Sequence, residues 1–142
     1  MWFTTDVLTR AVAIVVLLSA AAALSYWLAR RRVGAMVANP IIVSRWADYF
    51  GRSSAGAFQV RGAGIAVLGA DAIAFVMFGW GTSVYVERTA IRRAWVQRSF
   101  MRAWNGRHVL CIEWEPAPGK LDTVGLAVRR PEVWVAALSP QV

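Results

Sequence analysis

Nineteen consecutive residues without a charge, Ala11 to Ala29 (AVAIVVLLSAAAALSYWLA), run directly into Arg30-Arg31-Arg32. No other feature restricts the chain so strongly. At about 1.5 Å per residue, a helix of this length just crosses a hydrocarbon layer of roughly 30 Å. Its only polar side chains are those of Ser19, Ser25 and Tyr26, all of which a helix can absorb. Tyr26 and Trp27 lie at the end nearest the arginines, where amphipathic rings favour the headgroup level. The triple arginine then predicts a stop on the cytoplasmic side, against only Asp6 and Arg10 in the first ten residues. The expectation is a single pass through the cell inner membrane, N-terminus outside and about 110 residues in the cytoplasm.

A cleaved signal peptide is the competing reading. Ala11–Leu18 would be its short apolar region and Ala20–Ala23 would supply small residues for cleavage. Against it stand a weakly basic start, where Asp6 offsets Arg10, and three arginines that would follow the cut almost at once.

With 142 residues, one anchor and one small domain is the natural count. The formal net charge is +8. Without Arg10, Arg30, Arg31, Arg32 and Asp6, 12 of the 16 basic and 7 of the 8 acidic residues remain, a net of +5. A basic domain beside an anionic leaflet gains about 1 kcal/mol per well-placed arginine, so membrane lipids are an expected partner. Nucleic acid is not, since the chain has no helix-turn-helix, zinc-finger or RNA-binding signature.

The single cysteine, Cys111, excludes an intrachain disulfide and a thiolate metal cage. It sits in the apolar run Val109–Ile112, as a buried thiol would. The one histidine, His108, has no carboxylate or cysteine at ligand spacing. No metal and no cofactor are expected. The motifs of hydrolases, nucleotide-binding proteins and metalloproteases are absent. Glu113 and Glu115 share one face of a strand, but before Pro116 they read as a solvated edge rather than an acid/base pair. Asp71 and Asp122 fall at turn positions suited to capping the backbone. An enzyme is not expected.

Beyond the anchor segment (residues 1–32), residues 33–56 read as a membrane-proximal interfacial helix and linker. Asn39 can cap and Pro40 suits a first helical position. Ile42, Trp46, Tyr49 and Phe50 then share one broad face, which would lie in the headgroup region or pack on the domain or a partner subunit. Gly51–Gly56 reads as a flexible linker. Residues 57–142 carry short apolar alternations between Gly and Pro turns, the mark of a β domain. Strands are expected at Phe58/Val60, Ile65–Leu68, Ile73–Phe78, Ser83–Arg88, His108–Glu115 and Asp122–Val128, with Ile91–Phe100 open between strand and helix. Gly64–Trp80 is apolar enough to suggest a second membrane span. Asp71 near its middle and the glycines at 64 and 69 favour two buried strands instead. Pro131 and Glu132 open a last helix, with Trp134, Ala137 and Leu138 on one face.

Three segments, GAGIAVLGADAIAFVMF, SVYVERTAIRRAWV and DTVGLAVRRPEVWVAAL, give the order of this pattern. Over Ala57–Leu138 the chain resembles the bacterial pleckstrin-homology-like (PH/GRAM-like) family. The resemblance implies a bent antiparallel β-sandwich, or partly open barrel, plugged at one end by a C-terminal helix, with Trp134 and Leu138 as the plug. It also implies a recognition scaffold rather than an enzyme. Phosphoinositide-binding members carry several basic residues in the first hairpin, where this chain has only Arg61.

Arg88–Arg107 holds six arginines and no acid, interleaved with Trp95, Phe100 and Trp104. Such a stretch suits anionic headgroups and protein interfaces alike, and an ordinary solvated strand pair would also produce it. Trp80, between two glycines, reads as a residue that dips into the membrane or docks on a partner. The expected membrane and partner contacts are Arg30, Arg31, Arg32, Trp46, Trp80, Arg92, Arg93, Trp95, Arg98, Arg102 and Trp104. The function expected is a non-catalytic accessory or stabilising subunit of a larger inner-membrane complex, of respiratory or photosynthetic kind by architecture alone. The alternative is an adaptor that reads anionic lipid headgroups through the Arg/Trp surface.

Overall fold

The first helix, α1, runs unbroken from Trp2 to Met36, 35 residues or about 52 Å. Arginine is a good helix former, so the helix passes through Arg30–Arg32 rather than ending there. Near its start Asp6 and Arg10 pair across one turn at 2.9 Å. Thr4–Met36 is long and apolar enough to cross a membrane, with a mean hydropathy of 2.3 in a window of which none is buried. These features come from a computed structural model that describes residues 2–56, 58–79 and 81–139.

After α1 the chain turns at Asn39, with φ at +52°, into strand β1, Pro40–Arg52. The interfacial helix expected here is therefore a strand. Pro40 opens it, the position at which a strand tolerates proline, and Ile41, Ile42 and Val43 favour extended backbone through their branched side chains. A register shift between Ser44 and Ala47 adds an extra residue, which moves the inward alternation from even to odd positions. Ile42, Ala47 and Tyr49 all reach the same core as a result. That irregular spacing imitates a helical face. Phe50 goes to the opposite side, into a separate cluster, and Trp46 is exposed.

The remaining strands are β2 (Gly62–Gly69), β3 (Ala72–Met77), β4 (Ser83–Glu87), β5 (Ile91–Gln97), β6 (Val109–Ala117) and β7 (Lys120–Ala127). They form one seven-stranded sheet in the order β4-β3-β2-β1-β7-β6-β5, antiparallel throughout. The open segment 91–100 thus resolves into a strand followed by a loop. The strand expected at Phe58/Val60 does not form, and Ser53–Ala55 is a 3₁₀ turn rather than a flexible linker. The β domain begins at Pro40. The boundary drawn at Ala57 lies outside the described residues.

β1 is the strand on which both halves of the sheet meet. Pro40–Tyr49 pair with β2, and Asp48–Arg52 pair with β7. The inner faces of both halves share one core, in which Phe75, Leu110, Ile112 and Leu126 meet Trp134 and Leu138 of the last helix, α2 (Pro131–Leu138). Trp134 is fully buried.

The outer face of β2 and β3 is covered as well. Ala29 and Val33 of α1, with Val37 just past its end, pack on Ile65, Val67, Ala72, Ala74 and Val76. Burial on both faces explains why residues 64–77 read as an almost continuous apolar run. Two strands between covering layers produce the composition that suggested a second span.

Candidate membrane and partner interface

The last three turns of α1 serve as its docking surface. Ala29, Val33 and Val37 follow one another at four-residue steps, so they share one stripe. Gly69 lets that stripe approach, since a Cβ there would lie 2.3 Å from Val37 Cγ1. Burial of two valines and an alanine contributes on the order of 3 kcal/mol. The helix and the sheet are therefore one packed unit, with the apolar part of α1 projecting beyond it.

Aromatic rings gather where α1 leaves the sheet. Tyr26 meets Phe78 at 5.9 Å between centroids, and Phe78 meets Trp46 at 5.3 Å. Trp27, on the free side of the helix, lies under the Arg31 guanidinium at 5.4 Å. Of the three consecutive arginines, Arg30 lines a cavity of about 400 Å³ between α1 and the outer face of β1 and β2, with Arg45 on the opposite wall. Arg32 is exposed. A second hollow of about 520 Å³ adjoins the first through Val43 and Arg45, and is lined further by Trp46, Arg107 and Arg129.

The basic stretch at 88–107 divides into three parts. Arg92 and Arg93 lie on β5, an edge strand, and face carboxylates on β6. Arg92 pairs with Glu115 at 2.5 Å, and Arg93 approaches Glu113 at 3.8 Å. Trp95 carries the Arg93 guanidinium over its ring at 4.2 Å and donates from its indole N–H to Gln97. Beyond β5, Arg98, Arg102 and Trp104 are exposed in the loop to β6, Trp104 by 70 %. This loop is fastened to β7 by Phe100, which occupies the space a Cβ on Gly125 would need. Arg107, at its end, pairs with Asp48 of β1 at 3.2 Å. Trp80 lies outside the described residues.

Acidic groups here serve structure. Asp122 sits in β7 and is buried, not in a turn as its spacing suggested. Its carboxylate accepts from Arg52 Nε and Nη2 at 2.9 and 2.6 Å. Both hydroxyls of Ser53 and Ser54 and the backbone N–H groups of Ser54 and Thr123 complete the set. Burial alone would raise its pKa, but the bonds from Ser54, Arg52 and Ser53 outweigh burial and hold it at about 2. Glu115 is also lowered, by the Gly119 N–H and then by Arg92. Cys111 is buried, and desolvation pushes its thiol up to about 12. Among the described residues no group of three or more His, Cys, Asp or Glu side chains comes together.

Among the described residues, cations without an ion pair include Arg98 and Arg102 in the loop after β5 and Arg30, Arg45 and Arg129 at the groove between α1 and β1. Sequence reasoning named the loop, but it missed Arg45, Arg107 and Arg129 as companions of Trp46 and Arg30. Strand pairing together with the seating of α1 on the sheet brings these four arginines to adjoining hollows. The one local hint was Arg45 next to Trp46. Compared against models of known families, curated proteins and solved structures, the chain matches none of them.

Proposed function

We propose that the chain is a non-catalytic, membrane-anchored interaction module and a small accessory subunit of a larger inner-membrane complex. In this reading α1 spans the membrane with its N-terminus outside, and the β domain is a PH-like scaffold held at the cytoplasmic surface. The observation that carries it is the seating of Ala29, Val33 and Val37 on β2 and β3. A domain packed against its own anchor holds one orientation to the bilayer, as a subunit seated in an assembly requires. A flexible tether would let it swing. The burial of Trp134 and Leu138 in the shared core supports the PH-like reading, because that family's closing helix acts as such a plug. Exposed Phe58, Val60 and Trp104 are surfaces for a partner to cover.

A second reading, an adaptor for anionic lipid, is favoured by Arg98 and Arg102, which carry no ion pair among the described residues. Arg92 and Arg93 support it less, since β6 supplies their counter-charges. The native mass of the tagged protein, extracted from its own membranes in mild detergent, separates the two. A discrete large assembly with fixed partners is expected. A lone protomer or small homo-oligomer would overturn the subunit reading in favour of the adaptor.

A further inference from the structure

The groove between α1 and β1 combines cationic walls, an apolar floor and a position at the end of the exposed apolar helix. Its walls bear Arg30 and Arg45, and the adjoining hollow adds Arg107 and Arg129. Of these four, only Arg107 has a carboxylate partner among the described residues, Asp48, which also accepts from Asn105. The floor is apolar, formed by Val33, Val37, Ile65 and Val67.

Position adds to these. The groove starts at Tyr26, near the end of the exposed apolar surface of α1, where the rings of Tyr26, Phe78 and Trp46 meet. Amphipathic rings occupy the headgroup level of a bilayer. Arg30 lies one helical turn beyond Tyr26, about 6 Å along the axis. That is the depth of lipid phosphates. Arginine's planar fork matches a phosphate oxygen pair, and uncompensated arginines at this depth attract anionic lipid.

We infer that the groove between α1 and β1 is a binding site for an anionic glycerophospholipid, whose phosphate is held between Arg30 and Arg45. Arg129 extends the positive field toward the rest of the headgroup, and Trp46 flanks the entrance. The site rests on the reading that α1 spans a membrane. It differs from the loop surface of the adaptor reading, because α1 forms one of its walls. A lipid bound there fills the hollow beside the helix and braces the anchor against the sheet.

The test uses the full chain reconstituted into phosphatidylcholine discs doped with phosphatidylglycerol, then released and weighed by native mass spectrometry. The wild-type chain is expected to retain phosphatidylglycerol in preference to phosphatidylcholine. The double variant R30Q/R45Q is expected to lose this retention by on the order of tenfold or more, from two arginines at the headgroup level. R30K/R45K, which keeps both charges, is expected to retain most of it, and the loop variant R98Q/R102Q to match wild type. Arg30 and Arg45 are exposed and make no ion pair among the described residues, so the variants fold. Equal retention in R30Q/R45Q and wild type, loss in R98Q/R102Q instead, or no preference for the anionic lipid would overturn the site while leaving the anchor intact. A chain that fails to enter discs overturns the anchor reading and the site with it.

Discussion

Replacing Asp122 with asparagine tests the tie that closes the turn after β1 onto β7. The carboxylate is 2 % exposed and receives bonds from Arg52, Ser53, Ser54 and Thr123. Its pKa falls from 3.8 to about 2. At 1.36 kcal/mol per unit, the folded state favours the charged form by about 2 kcal/mol. The folded pKa lies below the unfolded one, so this stability is fully present above pH 3.8 and is lost as pH falls toward 2. An amide keeps the shape but not the charge, and leaves the Arg52 guanidinium facing a neutral group. In a domain of this size about 2 kcal/mol lowers Tm by roughly 8–16 °C. The assay is thermal unfolding of the full chain in a non-ionic detergent, followed by tryptophan fluorescence from neutral pH into acid. D122N should melt lower at neutral pH and show a shallower acid slope, with Glu115 still contributing its own. Equal melting temperatures at neutral pH, or parallel acid slopes, would refute the reasoning.

Three further outcomes follow from packing. The buried Cys111 thiol, pushed up to about 12, should resist maleimide in the native chain and react on unfolding in urea; fast native labelling would show that β6 opens. Gly69→Leu would drive a side chain into Val37 and should release the end of α1. The signature is faster hydrogen exchange at Val37, whose N–H bonds Val33, and unchanged protection would contradict the docking. Trp134→Ala empties the centre of the shared core and should cost about 3–5 kcal/mol, seen as loss of a cooperative melt; a variant that melts normally would show that α2 is not part of the core.

Five of the seven strands and the closing helix were legible because each carries its own local signal, while β5 stayed open between strand and helix. Turns with Gly or Pro bound β2, β3, β4, β6 and β7, while Pro131 and Glu132 mark α2. β1 was not legible, and the reason lies in one extra residue. Without the bulge, Ile42 and Tyr49 would face opposite sides of a strand, and the alternation would be plain. With it, inward residues fall at 42, 47 and 49, a spacing that fits a helix as well. Phe58 and Val60 misled in the opposite sense. They alternate as a strand would, but no neighbouring strand offers them a ladder, and both side chains stay in solvent.

The surface was legible only in composition. Six arginines without an acid between 88 and 107 form a basic patch in sequence, but Arg92 and Arg93 face Glu115 and Glu113 across a strand boundary. The reverse holds at the groove, where Arg30, Arg45, Arg107 and Arg129 lie far apart in the chain and meet in space. Charge density along a sequence therefore ranks these two regions in the wrong order, because an antiparallel neighbour supplies counter-charges that adjacency cannot show. The register that neutralises β5 is set by β6, and the register that gathers the groove is set by β1. Both follow from the same sheet order, which places β1 at the centre, beside α1 and within reach of the loop that ends at Arg107. A chain whose longest helix packs on β2 and β3, beside the central β1, thus gathers Arg30, Arg45 and Arg129 at the junction of helix and sheet, the part of the domain that lies nearest the bilayer in the reading that α1 spans a membrane.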